Sequence, residues 1–252
     1  MRSISDRTDY KSVCREASEN DRAFSTFKNN FSYVAILEHV NTEQGLLYLS
    51  YLEKNFPEYI NYLDRFKEND KYGSPRTSEY PGIGCISPTT LRYVKVLSDI
   101  KELMGDLTGK KIVEIGSGYG GQCFILSQFY QDLDYSLIDM DEVLPLNKKY
   151  LDRLKTSHRT ISLEEVKDLN EDFDLVISNY AYSEVDKELQ NLYWEKVIKR
   201  SKNGYFTLNF VSDVFGIKSY NLDEIMSIFS EKNPQLLEEN PKTFENNIIL
   251  YF

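Results

Sequence analysis

Apolar residues fall at helical spacing from Asn29 onward. Phe31, Val34 and Ala35 share one face, as do Ile36 and Val40. The stretch "NTEQ" (41–44) sets Asn41 three residues before Gln44, a capping-box pattern that predicts a second helix through Leu46, Leu49 and Leu52. Pro57 suits the first turn of a third helix carrying Ile60, Leu63 and Phe66. Residues 67–88, "KENDKYGSPRTSEYPGIGCISP", hold three prolines and three glycines and read as a long irregular loop. Loops of this length in a compact chain are commonly lids or binding loops. Tyr72, Arg76, Tyr80 and the nearby Tyr93 suit it to that role, with a structural wrap as the alternative. Ser87-Pro88 then opens a fourth helix through Leu91, Val94, Leu97 and Ile100, ended by Gly105. Residues 1–22 are polar and read as frayed or loosely docked.

After residue 108 the pattern alternates. "KIVEI" (111–115), "DYSLID" (134–139), "TISLEEV" (160–166), "FDLVIS" (173–178) and "GYFTLNFV" (204–211) read as strands. Helical stretches fall at 119–130, 142–155, 184–200 and 222–230, and two further strands close the chain. This order predicts an α/β fold: a Rossmann-like, mostly parallel seven-stranded sheet with helices on both faces and an antiparallel terminal strand. "NIILYF" at the end is almost wholly apolar, so it is expected inside the sheet rather than at its edge. The chain thus divides into a polar segment (1–28), a helical cap with a lid loop (29–107) and a ligand-binding α/β domain (108–252). Ligands in such sheets bind at the carboxyl ends of the strands.

Composition narrows the function classes. Hydrophobic residues make up 41% of the 252, enough for a packed core. A net charge of −10 with no strong basic run excludes a protein that tracks nucleic-acid backbones. Cys14, Cys85 and Cys123 are scattered and form no CxxC, which argues against a zinc site or a disulfide framework. No apolar run reaches the length of a membrane span and no secretory leader is visible, so a cytoplasmic protein is the expectation. A homo-oligomer stays open.

The chemistry concentrates in "KKIVEIGSGYGGQC" (110–123). Glu114 ends the first sheet strand, and Gly116, Gly118, Gly120 and Gly121 make the turn into a helix. Such a turn needs glycine for positive φ and for close approach of backbone to ligand. The literal GxGxxG also admits a dinucleotide. A carboxylate two residues before the first glycine, however, faces a cation better than a pyrophosphate. Asp139 ends the second strand about twenty residues on, placed to accept both hydroxyls of a ribose. The alternative for Asp139 is a helix cap or turn acid.

"EIGSGYG" resembles the first motif of the class I S-adenosylmethionine-dependent methyltransferases, an acid followed by GxGxG. The resemblance implies S-adenosyl-L-methionine as cofactor and S-adenosyl-L-homocysteine as product. It places the backbone of Gly116, Ser117, Gly118 and Gly120 along the methionine part, Glu114 at its amino group and Asp139 on the ribose. "SLEEV" (162–166) would border the adenine. Nucleic-acid amino-methyltransferases carry an acid or Asn and then Pro-Pro-aromatic after the fourth strand; this chain has Asn179-Tyr180-Ala181-Tyr182. "ISNYAYSE", "EIGSGYGGQ" and "DKYGSPRTSEYPGIGCISPTTLRYVKVLSDI" together resemble a bacterial family of sugar O-methyltransferases associated with surface-polysaccharide and lipopolysaccharide synthesis. That likeness runs from about residue 30 to the C-terminus. It implies a small-molecule or glycan acceptor and no nucleic acid.

A neutral sugar hydroxyl is a poor nucleophile, so methyl transfer to it calls for a base. Glu184, closing "NYAYSE" beside the fourth strand, is the first candidate. Its alternative role is a first-turn helix acid, with Ser183 as N-cap and Asp186 completing the box. His39 is the second candidate, and a packed or capping histidine is its alternative. His158 sits in a polar turn. Asn179, Tyr180, Tyr182 and Tyr72 are expected to line the acceptor pocket, tyrosine offering a flat apolar face and a polar tip. Arg92 is expected to hold the cofactor carboxylate as a fork donor, or else to form a surface salt bridge. No clustered Asp/His pattern points to a metal. The competing readings are a non-sugar O-methyltransferase, an inactive cofactor-binding module and an NAD-dependent oxidoreductase.

Overall fold

The computed structural model describes residues 3–252. Helix α1 (Tyr10–Glu19) buries Tyr10, Cys14 and Ala17, a stripe at helical spacing. Its end is clamped by Lys149, whose ammonium donates to the carbonyls of Ala17 and Ser18 at 3.0 and 3.1 Å. The last carbonyls of a helix lack internal partners and carry the negative end of its dipole. Residues 3–22 are therefore docked rather than frayed, and residues 1–2 lie outside the described residues. Helix α2 (Phe31–Ile36) follows an Asn30 cap. Phe31 is 85% exposed. Tyr33 takes the inner position instead, stacking on Tyr10 and meeting Phe27 edge-on.

Helix α3 (Thr42–Asn55) starts at the expected Asn41–Gln44 capping box. Pro57 opens a 3-10 turn through Tyr62, which continues into the short helical turn Leu63–Phe66. The long loop contains an antiparallel hairpin of β1 (Ser78–Tyr80) and β2 (Gly84–Ile86). Helix α4 (Pro88–Met104) runs from the Ser87 cap to Gly105 as expected.

The α/β unit follows. It runs β3 (Lys111–Ile115), α5 (Gly121–Phe129), β4 (Asp134–Ile138), α6 (Leu144–Arg153) and β5 (Arg159–Ile161). It continues with α7 (Leu163–Asp168), β6 (Phe173–Asn179), α8 (Lys187–Tyr193) and β7 (Ser201–Leu208). Helix α9 (Leu222–Ile228) precedes β8 (Gln235–Glu238) and β9 (Ile248–Tyr251). Two local readings change. The strand at 160–166 stops at Ile161, because Ser162 and Glu165 form a capping box that starts α7. Asp186, not Ser183, caps α8 by accepting from the Leu189 amide.

The sheet order is β5-β4-β3-β6-β7-β9-β8, with every pair from β5 to β7 parallel. β9 is antiparallel to both its neighbours and lies inside the sheet, as its apolar sequence predicts. β8 forms the exposed edge. The fold class is the Rossmann-like α/β sheet expected. The chain crosses from one side of β3 to the other between β5 and β6, so the crevice between the ends of β3 and β6 is the switch point where ligands bind.

One buried apolar cluster joins the cap to the sheet, with Tyr33, Tyr48 and Leu97 meeting Tyr119, Leu151 and Leu175. A second, around Trp194, Phe206 and Phe229, fills the opposite face. Burial of side chains this large contributes roughly 1.5–3 kcal/mol each. Among the described residues no helix is long and apolar enough to cross a membrane.

Candidate functional site

The turn after β3 is shaped by contacts that exclude side chains. Gly116 has φ +75, and a Cβ there would lie 2.1 Å from the Cβ of Ala181. Gly118 has φ +56, and its Cβ would lie 2.8 Å from a methyl of Leu37 in the cap. Both positions need the left-handed conformation and the missing side chain. Asn147 of α6, fully buried, holds this turn from behind. It accepts from the Ser117 hydroxyl at 3.2 Å and donates to the Gly118 carbonyl. Asp139, just past β4, holds it from the side. Its carboxylate accepts from the Gly118 amide at 2.9 Å and the Met140 amide at 2.8 Å.

Two acids face the space above the turn. Glu114 is buried and accepts from the Tyr135 hydroxyl at 2.9 Å. Burial pushes its carboxyl up to about 8, against the Tyr135 hydrogen bond. Asp139 rises to about 6 by burial, offset by its backbone amide donors. Neither acid has an ion-pair partner among the described residues. A buried carboxylate aimed into open space without a cation is a place for a ligand cation.

These groups line a cavity of about 930 Å³. Glu114, Gly116, Ser117, Gly118 and Asp139 form its floor, and Leu163 of α7 borders it. Arg92, His39, Asn179, Tyr180 and Glu184 line the same space. Ten of the thirteen expected site residues are therefore brought together. Three are not. Gly120 caps α5 at φ +89 and meets Leu151 rather than the cavity. Tyr182 is fully buried, its ring against Phe206 and Phe229 on the far face of the sheet. Tyr72 lies among Phe24 and Tyr150 in the cap core. No residue of 67–88 lines the cavity, so the lid reading of that loop gives way to a structural one.

The polar groups on the cap side are short of partners. Arg92 is 4% exposed. One of its nitrogens donates to the Leu37 carbonyl at 3.4 Å, and its guanidinium sits 5.6 and 5.5 Å from the ring centres of Tyr93 and Tyr180. Its other terminal nitrogen has no partner, and no ion pair among the described residues involves it. The salt-bridge alternative for Arg92 is thus excluded. His39 Nδ1 and both amide atoms of Asn179 are buried without partners among the described residues as well. Burial drives His39 down to about 4, and the Arg92 charge adds to the fall. Burial raises Glu184, while the amide of Asn209, which donates to its carboxylate, and the charge of Arg92 hold it back. Tyr180 has φ +70, a strained conformation for a tyrosine. It is pinned by its amide to the Thr207 carbonyl at 2.8 Å and by its hydroxyl to Glu239 and Thr243.

Sequence reasoning missed four contributors. Ser3, Ile4, Thr8 and Tyr10 close one side of the cavity. The spacing of Tyr10, Val13, Cys14 and Ala17 carried the signal for that docking. The segment 243–247 closes another side, organised by Glu239, which accepts from Thr243 and Asn247. Asn147 had no local signature. Lys28, fully buried, lies 3.9 Å from the Tyr119 ring centre and donates to the Asn69 carbonyl and the Tyr150 hydroxyl. It ties the cap to the tyrosine inside the glycine turn.

No protein-family model matches the chain, and no curated protein matches it. Solved structures do. One, provisionally assigned as a sarcosine dimethylglycine methyltransferase from Galdieria sulphuraria, is 15% identical over 60% of this chain, with a TM-score of 0.49. The chain spans 64% of that structure's length. An S-adenosylmethionine-dependent methyltransferase from Aquifex aeolicus is 17% identical over 63% of this chain and 87% of its own, with a TM-score of 0.48. Another from Clostridium acetobutylicum is 13% identical over 62% and 87%, with a TM-score of 0.48.

Proposed function

We propose that the protein is an S-adenosylmethionine-dependent O-methyltransferase that methylates a sugar hydroxyl. The observation that carries the reading is Glu114: a buried acid with no cation partner among the described residues, facing a cavity floored by a glycine turn at the sheet's switch point. In its ionised form such a carboxylate attracts the ammonium of an amino-acid moiety and repels a pyrophosphate, so an ammonium ligand draws out its proton and a dinucleotide gains nothing from it. The residues present fit the cofactor. The Gly116–Gly118 backbone would lie along its methionine part, Asp139 would hold its ribose and Leu163 would border its adenine.

S-adenosylmethionine supplies an electrophilic methyl group on a sulfonium. The protein's own task is to hold the acceptor hydroxyl in line and take its proton. Positioning alone can account for much of the barrier reduction. Glu184 is the base in this reading, because burial raises its proton affinity toward the working range while burial drives His39 away from it. His39 stays neutral and presents an unpaired Nδ1 as a hydrogen-bonding partner. Asn179 offers one donor and one acceptor to the acceptor's hydroxyls. The surface-polysaccharide setting and the cytoplasmic location rest on the motif resemblance and on the sequence.

Calorimetric titration with S-adenosylhomocysteine, with NAD as the parallel ligand, tests the reading. Micromolar binding of the first and none of the second is expected, weakened strongly in Asp139→Ala. Binding of NAD alone would sink it. Cofactor binding without methyl transfer to any sugar would leave an inactive module.

A further inference from the structure

The cavity holds two charge poles that do not meet. Glu114 and Asp139 form an acidic pole at the ends of β3 and β4. Arg92 forms a cationic pole at the end of β6, over the Tyr180 ring. Arg92 shares the cavity with the glycine turn as well as with Tyr180, His39 and Glu184, and of the acceptor-side groups it lies against the Tyr180 ring, 5.5 Å from its centre. Its charge acts on His39 and Glu184, whereas Glu114 responds to burial, Tyr135 and Asp139. A guanidinium that is 4% exposed, with one terminal nitrogen unpaired, is costly to keep without an anion. Glu38 is the other acid close to it, and no ion pair joins the two among the described residues. The amide of Asn179 and Nδ1 of His39, also unpaired, complete a polar pocket for one end of a ligand.

We propose that Arg92 binds a negatively charged group on the methyl acceptor, so that the substrate is an acidic sugar, bearing a carboxylate or a phosphate, and not a neutral one. This rests on the methyltransferase reading and moves Arg92 from the cofactor to the acceptor. The anion lies against the guanidinium fork, which suits bidentate binding of either group. The sugar's hydroxyl is thereby directed to Glu184 and its ring to Tyr180.

The test uses the full chain with S-adenosylhomocysteine and three sugars. S-adenosylhomocysteine affinity is measured first in wild type, Arg92→Gln and Arg92→Lys. Wild-type binding that survives within about threefold in both variants is expected; a loss of tenfold or more assigns Arg92 to the cofactor carboxylate and overturns the proposal. No wild-type binding at all would instead defeat the methyltransferase reading itself. The wild-type S-adenosylhomocysteine complex is then titrated with glucuronate, glucose 6-phosphate and glucose, following the thermal midpoint. Stabilisation by glucuronate marks a carboxylate acceptor and stabilisation by glucose 6-phosphate a phosphorylated one. Either must exceed the effect of glucose and vanish in Arg92→Gln. Equal effects of all three sugars, no effect of either anion, or an anion effect that persists in Arg92→Gln overturns the proposal. If Arg92→Gln fails to fold, Arg92→Lys takes its place, and the anion effect must then fall at least tenfold in affinity.

Discussion

With Glu114 holding the cofactor's ammonium, as proposed, cofactor binding depends on pH in a direction that can be worked out. Its carboxyl is pushed up to about 8 by burial. At pH 7 the ligand-free site therefore holds its proton in roughly nine molecules of ten. Only the ionised form pairs with an ammonium, so binding of S-adenosylhomocysteine must expel that proton. Affinity should rise up to about tenfold per pH unit from pH 6 and level off near 8, with up to about 0.9 proton released per site at pH 7. Calorimetry in two buffers of different ionisation enthalpy reads both quantities. In Glu114→Gln the slope and the proton release disappear, and affinity at pH 8 falls by about 1.5–3 kcal/mol, the usual worth of a charged hydrogen bond. The same group acts on stability. The folded form keeps a proton that the unfolded chain loses near 4.5, so its contribution is full below 4.5 and is lost as pH rises through about 8. That gap corresponds to about 5 kcal/mol as an order of magnitude. The ligand-free Glu114→Gln variant should therefore melt above wild type at pH 8. A wild-type affinity that is flat from pH 6 to 8 would refute the reasoning. So would an unchanged slope in the variant, which would assign the proton to Asp139.

Three further outcomes are expected. Glu184→Gln should lower turnover by roughly 10²–10⁴ with S-adenosylhomocysteine affinity nearly unchanged; equal loss of both, read by kinetics beside calorimetry, removes Glu184 from the base role. Gly118→Ala meets Leu37 at 2.8 Å in a left-handed conformation and should destabilise by about 1–2 kcal/mol, seen as a lower thermal midpoint, with weaker cofactor binding. Tyr182→Phe removes a buried hydroxyl that has no hydrogen-bond partner among the described residues, and should leave turnover unchanged while raising stability by about 1 kcal/mol in denaturant melts. A large loss of turnover there would return Tyr182 to the acceptor pocket.

The sequence by itself determined the alternating elements, the glycine turn and the two acids beside it, because these follow from local rules. Strand and helix periods, caps and positive φ depend on residues a few positions apart, as the Asn41–Gln44 box and the Ser87 cap illustrate. It also placed β9 inside the sheet, since a wholly apolar strand cannot face water on an edge. It read less well where a side chain's role depends on distant neighbours. Tyr180 and Tyr182 are two residues apart, yet one faces the cavity and the other the opposite core, because the strained turn at Tyr180 separates them. The tertiary structure alone brought the 243–247 segment to the cavity and set Asn147 and Lys28 behind the glycine turn, each from a remote part of the chain. It alone showed that Arg92 is buried with no ion-pair partner among the described residues. Whether a charge is paired depends on which segments meet in space, and a pattern along the chain does not carry that information.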